Sequence, residues 1–330
     1  MTKSSKKRCV HTVADSRLAG LKIKELHRSA LFIYRTTMKM NTTKNIYLSI
    51  ADHQVCIDVC NFKSDICIGA YCRNFLTDNF ADINLTIKCF SGLPNLNLTE
   101  EFCLFNAEEL NDAGFENKWG VYKQNQNIYI SAVLPQNGSV ILHLVSESEM
   151  HLFFEKESLL IDPFLPPLGP LIYYYLASFN KGFLLHASGV ADNNHGYIFT
   201  GVSGIGKSTM ANLWKDNGAQ VIHDDRLFIR KNKEEFFFYN TPLYDDDTPK
   251  SAPINAVFIL SQSKENTIKK INGAIAASKI LANCIQHPYD EKLISSLLDT
   301  VSKLSLSVPV YELGFYPDSK IIDFIKEHIG

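Results

Sequence analysis

The chain has 330 residues, 45% hydrophobic, 11% aromatic and 21% charged, with a formal net charge of −2. This is ordinary globular usage and excludes a disordered, collagenous or coiled-coil chain; the length points to two domains, or one with an appendage, with a core that needs no disulfide or metal staple. The near-neutral total gives no global footprint for nucleic acid, although residues 1–40 carry a net of +8 and leave −10 on the remainder.

Residues 1–37 read as a basic leader rich in Lys, Arg, Ser and Thr, disordered by composition. Met38 and Met40 stand where ordered sequence begins, so this stretch is either a leader or lies upstream of the true start. A nucleic-acid or membrane-surface arm is the competing reading, and the interleaved aromatics it calls for are missing. The apolar run at 30–34 is too short for a secretion signal. The uncharged stretch 163–180 holds Pro163, Pro166, Pro167 and Pro170 in its first half, which a spanning helix would not cluster there. No membrane and no nucleic acid are therefore expected as partners. The cytoplasm is the expected location, with the eight cysteines as reduced thiols.

Residues 38–162 are expected to form a β-rich N-terminal domain. Segments 45–50, 54–60, 65–70, 82–89, 120–123, 127–133, 139–144 and 150–154 alternate or are β-branched, with Asn, Asp, Gly and Pro between them. Cys56, Cys60, Cys67, Cys72, Cys89 and Cys103 are spaced too irregularly for paired metal knuckles, and buried thiols are the simpler reading.

A proline-rich boundary opens a second domain at 163–330, beginning with a helix over 171–180 that Gly182 stops. Strands are expected at 183–191 and 196–200, joined by the turn Asp192-Asn193-Asn194-His195. A helix over 207–216 follows, then strands at 220–223, 227–230, 235–239, 255–261 and 266–271. Helices near 274–284 and 290–304, a strand at 308–313 and a last helix from Pro317 complete the order.

Between the strand at 196–200 and the helix at 207–216 lies Gly201-Val202-Ser203-Gly204-Ile205-Gly206-Lys207-Ser208-Thr209, a full match to GxxxxGK[ST]. Its chemistry explains its composition. Glycines let backbone N–H groups approach and wrap a triphosphate, and the helix N-terminus adds partial positive charge. Lys207 reaches the β and γ oxygens, and Ser208 offers its hydroxyl to Mg²⁺. Gly201, Ser203, Gly204, Ile205, Gly206 and Thr209 complete the cradle. ATP and Mg²⁺ are thus the expected cofactors.

Seventeen residues after Lys207, an apolar strand ends in His223-Asp224-Asp225. Acids at a strand end beside a phosphate loop suit a second contact to Mg²⁺ (Asp225) and a base for an attacking hydroxyl. Adjacent strand residues face opposite ways, so a bend or bulge is required for both to reach one site. A solvated strand end is the bland alternative. His186, on the preceding strand, is either a core histidine or a group that tunes the aspartates. Arg226 either neutralises phosphoryl charge or pairs with an aspartate.

The run His186-Ala187-Ser188-Gly189-Val190, the hairpin, the phosphate loop, a helix of about ten residues and His223-Asp224-Asp225-Arg226 together resemble the catalytic domain of HPr kinase/phosphorylase. They are more distantly similar to phosphoenolpyruvate carboxykinases. The nearest likeness is to HPr-kinase-like proteins found beside peptide-modification genes, where a strand like Val308-Pro309-Val310-Tyr311-Glu312-Leu313 also recurs. The resemblance covers residues 165–330. It implies an α/β P-loop catalytic domain of the HPr kinase/carboxykinase type behind the β-rich domain. It also implies that Lys207 and Ser208 bind phosphate and Mg²⁺, that Asp224 and Asp225 supply base and metal contact, and that His186 supports the base. The implied substrate is a Ser/Thr hydroxyl of a peptide or protein, and a homo-oligomer is open.

The basic docking loop of HPr kinase is absent, so HPr as substrate has no support. In its place stands Thr241-Pro242-Leu243-Tyr244-Asp245-Asp246-Asp247, read here as a solvated turn, with docking of a basic substrate or a metal as alternatives. A small-molecule kinase of the same fold and an inactive ATP-binding regulatory module also remain open.

Overall fold

The computed structural model describes residues 45–62, 68–78, 81–106, 119–134, 137–157, 162–286 and 290–329. The leader at 1–37 and Cys67 lie outside these residues.

The first half is an eight-stranded mixed sheet. In chain order its strands are β1 (Asn45–Ile50), β2 (His53–Val59), β3 (Ile83–Ser91), β4 (Cys103–Asn106), β5 (Trp119–Gln124), β6 (Asn127–Leu134), β7 (Gly138–Ser146) and β8 (Glu149–Phe154). They assemble in the order β1-β2-β3-β8-β7-β6-β5-β4, with parallel pairing at β2–β3 and β3–β8. Alternation places Ile46, Leu48 and Ile50, then Leu85, Ile87 and Cys89, on the buried face.

Of the strand expected at 65–70, residues 65–67 lie outside the described residues, and the end is a correction: Ala70–Phe75 is a short 3-10 helix. Its cause is a distant carboxylate. Asp162 accepts from Gly69 N–H at 2.9 Å and from Tyr71 Oη at 2.5 Å, which ties the segment to the start of the second half. Cys56, Cys72 and Cys89 are buried and Cys60 is exposed; burial raises the thiol pKa of Cys72 and Cys89. Among the described residues no group of three or more His, Cys, Asp or Glu is placed to hold a metal.

The second half is again mixed. It contains α1 (Leu168–Phe179), β9 (Phe183–Asp192), β10 (His195–Thr200), α2 (Lys207–Asp216), β11 (Gln220–His223), β12 (Arg226–Asn232), β13 (Glu235–Tyr239) and β14 (Ser251–Gln262). Then come β15 (Thr267–Ile271), α3 (Gly273–Leu281), α4 (Glu291–Ser307), β16 (Val310–Phe315) and α5 (Lys320–Ile329). The antiparallel hairpin β9–β10 continues into parallel pairs β10–β14 and β14–β16. Strands β12 and β13 bridge β9 to β14, so the pairing circuit β9–β12–β13–β14–β10 closes on itself. Helices α2 and α5 cover one face through Met210, Trp214, Ile321 and Ile325. Helices α3 and α4 cover the other through Ala276, Ile280, Val301 and Leu304.

The uncharged stretch beyond the proline-rich boundary is α1, with nine of its twelve residues buried. A helix apolar on every side belongs inside a protein, and α1 joins the first sheet, Leu184, Phe228 and Tyr239 in one core. No helix among the described residues is long and apolar enough to cross a membrane. Polar ties reinforce this junction: Arg230 Nη1 donates to the Ala51 carbonyl at 2.9 Å, and Tyr239 Oη donates to Asp52 at 2.7 Å.

His53 is buried at the same junction, its ring 5.5 Å from that of Phe228. Burial, helped by the Arg230 charge, lowers its pKa to about 3. The folded chain therefore keeps His53 neutral, while the unfolded chain protonates it near its ordinary value. This contribution is complete above about pH 6.5 and is lost as the pH falls from there towards 3. Urea midpoints should drop between pH 7.5 and pH 4.5, and the drop should be smaller in His53→Gln. An equal drop in both proteins would remove His53 as the cause.

Candidate functional site

Strand β9 is the spine of the site. The hairpin sets Thr200 opposite Ala187, and Thr200 Oγ1 donates to the His186 carbonyl at 2.9 Å. The loop 201–206 therefore leaves β10 beside residues 186–188. Its three glycines take φ of 150° (Gly201), 78° (Gly204) and 113° (Gly206), values that a side chain would strain. At Gly206 a Cβ would also lie 2.6 Å from Phe315 Cζ. Helix α2 starts at Lys207 directly after it. Lys207 is buried, and its Nζ donates to the carbonyls of Gly201 at 3.0 Å and Val202 at 3.2 Å. Ser203, Ile205 and Ser208 are half-buried, whereas Gly204 and Thr209 are exposed.

On the other edge of β9, β11 and β12 pair in succession. Register shifts between Val221 and His223, the irregularity that the sequence called for. The chain bends at Asp224 and Asp225 before Arg226 resumes pairing opposite His186. The bend is tied locally: His223 Nδ1 accepts from the N–H groups of Asp225 at 3.0 Å and Arg226 at 3.2 Å, and Ala187 N–H donates to the Asp225 carbonyl.

The two carboxylates are held differently. Asp225 Oδ2 accepts from Arg226 Nε at 3.2 Å and Nη2 at 3.1 Å, and its Oδ1 stands 4.0 Å from His186 Nε2. Asp224 Oδ1 accepts from Ser188 Oγ at 2.5 Å. His186 and Ser188 are two apart on β9 and so share a face. The structure thus gathers Asp224, Asp225, His186 and Arg226 on one edge of β9 and the loop 201–206 with Lys207 on the other. The axes of β10 and β12, on either side of β9, lie about two strand spacings, roughly 10 Å, apart. Ser188 joins the site beyond the residues expected from the sequence; its period-two spacing from His186 is the signal that marks it.

The acidic turn is a second correction. Asp247 is buried rather than solvated, and its Oδ2 accepts from the N–H groups of Leu243 at 3.2 Å and Tyr244 at 2.9 Å. Burial raises its pKa. Asn74 Nδ2, from the first half, donates to the Asp247 carbonyl at 2.9 Å. Only Asp246 of the triplet is exposed. The turn brings Tyr244 over His223 with ring centroids 6.3 Å apart, and burial together with Asp225, Asp224 and Asp247 raises the phenol pKa.

No family model matches the chain, and no curated protein matches it. Among solved structures, the HPr(Ser) kinase/phosphatase from Coxiella burnetii aligns with 13% identity over 44% of this chain and 95% of that one, at a TM-score of 0.30.

Proposed function

We propose that the chain is an ATP- and Mg²⁺-dependent kinase that phosphorylates a Ser or Thr hydroxyl of a peptide or protein. One observation carries this reading: a complete GxxxxGK[ST] loop joins a strand to a helix, and paired aspartates stand across the adjacent strand. The amides of 201–209 wrap the phosphates. Lys207 exchanges two loop carbonyls for β and γ oxygens. The Ser208 hydroxyl and an Asp225 carboxylate oxygen are hard donors that suit Mg²⁺, which when bound neutralises phosphate charge. Arg226 already holds Asp225 Oδ2, so Oδ1 is the oxygen to meet the metal or His186.

Asp224 acts as base through the oxygen that Ser188 does not hold. The acceptor hydroxyl passes its proton to Asp224 as its oxygen bonds to the γ-phosphorus. The bond from that phosphorus to the β-bridging oxygen breaks, and ADP leaves. Labelled ATP with Mg²⁺ should mark a peptide or protein acceptor from the source cell and release ADP. Saturating nucleotide should also raise the melting temperature, since a hundredfold excess over Kd stabilises the fold by about 2.7 kcal/mol through mass action. Lys207→Ala should abolish both. Absence of both effects in the parent protein would overturn the reading.

A further inference from the structure

We propose that Tyr316 is the platform on which the nucleobase of the bound nucleotide stacks. This rests on the kinase reading above and assigns the other end of the same ligand, a purine nucleoside triphosphate.

Strand order gives the ligand a direction. Strand β10 lies between β9 on one side and β14 on the other, with β16 beyond β14. Both aspartates stand on the β9 flank. The reacting γ-phosphate must face them, so the nucleoside extends the opposite way, over β14 and β16. These strands run parallel to β10, so their carboxyl ends lie on the same side as the phosphate loop.

At that edge stands Tyr316, directly after β16 and 51% exposed. The residue before it is the buried Phe315, whose ring abuts Gly206 of the phosphate loop. Phe315 thereby fixes the position of Tyr316 relative to the phosphates. The backbone is pinned as well. Tyr316 N–H donates to Asn266 Oδ1 at 2.9 Å, Ser263 N–H to the Phe315 carbonyl at 3.2 Å, and Asp318 N–H to the Tyr316 carbonyl at 2.8 Å. A large aromatic side chain held on a braced turn and left half in water has the form of a stacking surface, since every base offers a π-face and little ordering entropy is lost on contact.

The test compares ligands that share phosphates and differ in the base. Calorimetry on the full chain with Mg²⁺ measures Kd for ATP and for inorganic tripolyphosphate in the parent, Tyr316→Ala and Tyr316→Phe. The expected result is that Tyr316→Ala weakens ATP about tenfold, the scale of one base–aromatic stack. Tripolyphosphate should be unchanged, and Tyr316→Phe should bind ATP like the parent. Equal ATP affinity in the parent and Tyr316→Ala would overturn the platform and leave the kinase reading standing. Weakening of both ligands by Tyr316→Ala would make Tyr316 a structural residue and overturn the platform too. If the parent binds neither ligand, the kinase reading falls, and the platform with it.

Discussion

Asp224→Asn should cut kcat by about 10³, inside the range of a lost general base, while Mg-ATP affinity stays within about twofold of the parent. The amide keeps the shape and still accepts from Ser188, but it takes no proton from the acceptor. Asp225→Asn should behave differently. It removes the charge that Arg226 grips with two hydrogen bonds and that His186 faces, so both kcat and nucleotide affinity should fall. Calorimetry beside single-turnover labelling separates the two variants. An Asp224→Asn protein that keeps a tenth or more of the parental kcat would remove that carboxylate as the base.

The largest expected effect on stability is at Phe238. It is fully buried, and the strands around it carry glycine where its ring lies. A Cβ at Gly189 would stand 2.5 Å from its Cε2, and one at Gly196 2.5 Å from its Cε1. The ring therefore fills the space that two missing side chains leave. After Phe238→Ala neither glycine has anything to swing into the hole, so the cavity persists. The expected cost is about 3–5 kcal/mol, read as a lower urea midpoint at unchanged slope. A loss below about 1 kcal/mol would mean that the sheet collapses around the gap.

The elements of the second half nearest the loop were plain in the sequence because local chemistry fixes them. The strand at 196–200 falls within β10, and the helix at 207–216 coincides with α2. Glycines that need positive φ, followed at once by a helix-forming run, leave few alternatives. Two of the misses share a cause, which is a partner distant in sequence. Asp162 turns the segment at Gly69 and Tyr71 away from strand form from about ninety residues off. Asp247 looked like a surface acid, yet its neighbours bury it and its carbonyl serves Asn74. Among the described residues the short β4 pairs only with β5, and alternation over four residues is too weak a signal to find it.

Helix α1 has a consequence for how the molecule comes apart. Its apolar residues share one core with the first sheet, with Leu184 of β9 and with Phe228 of β12. Melting either half would strip that helix to solvent. Calorimetry should therefore record one endotherm rather than two, and any ligand that tightens the loop at 201–206 should slow hydrogen exchange in strands far from it.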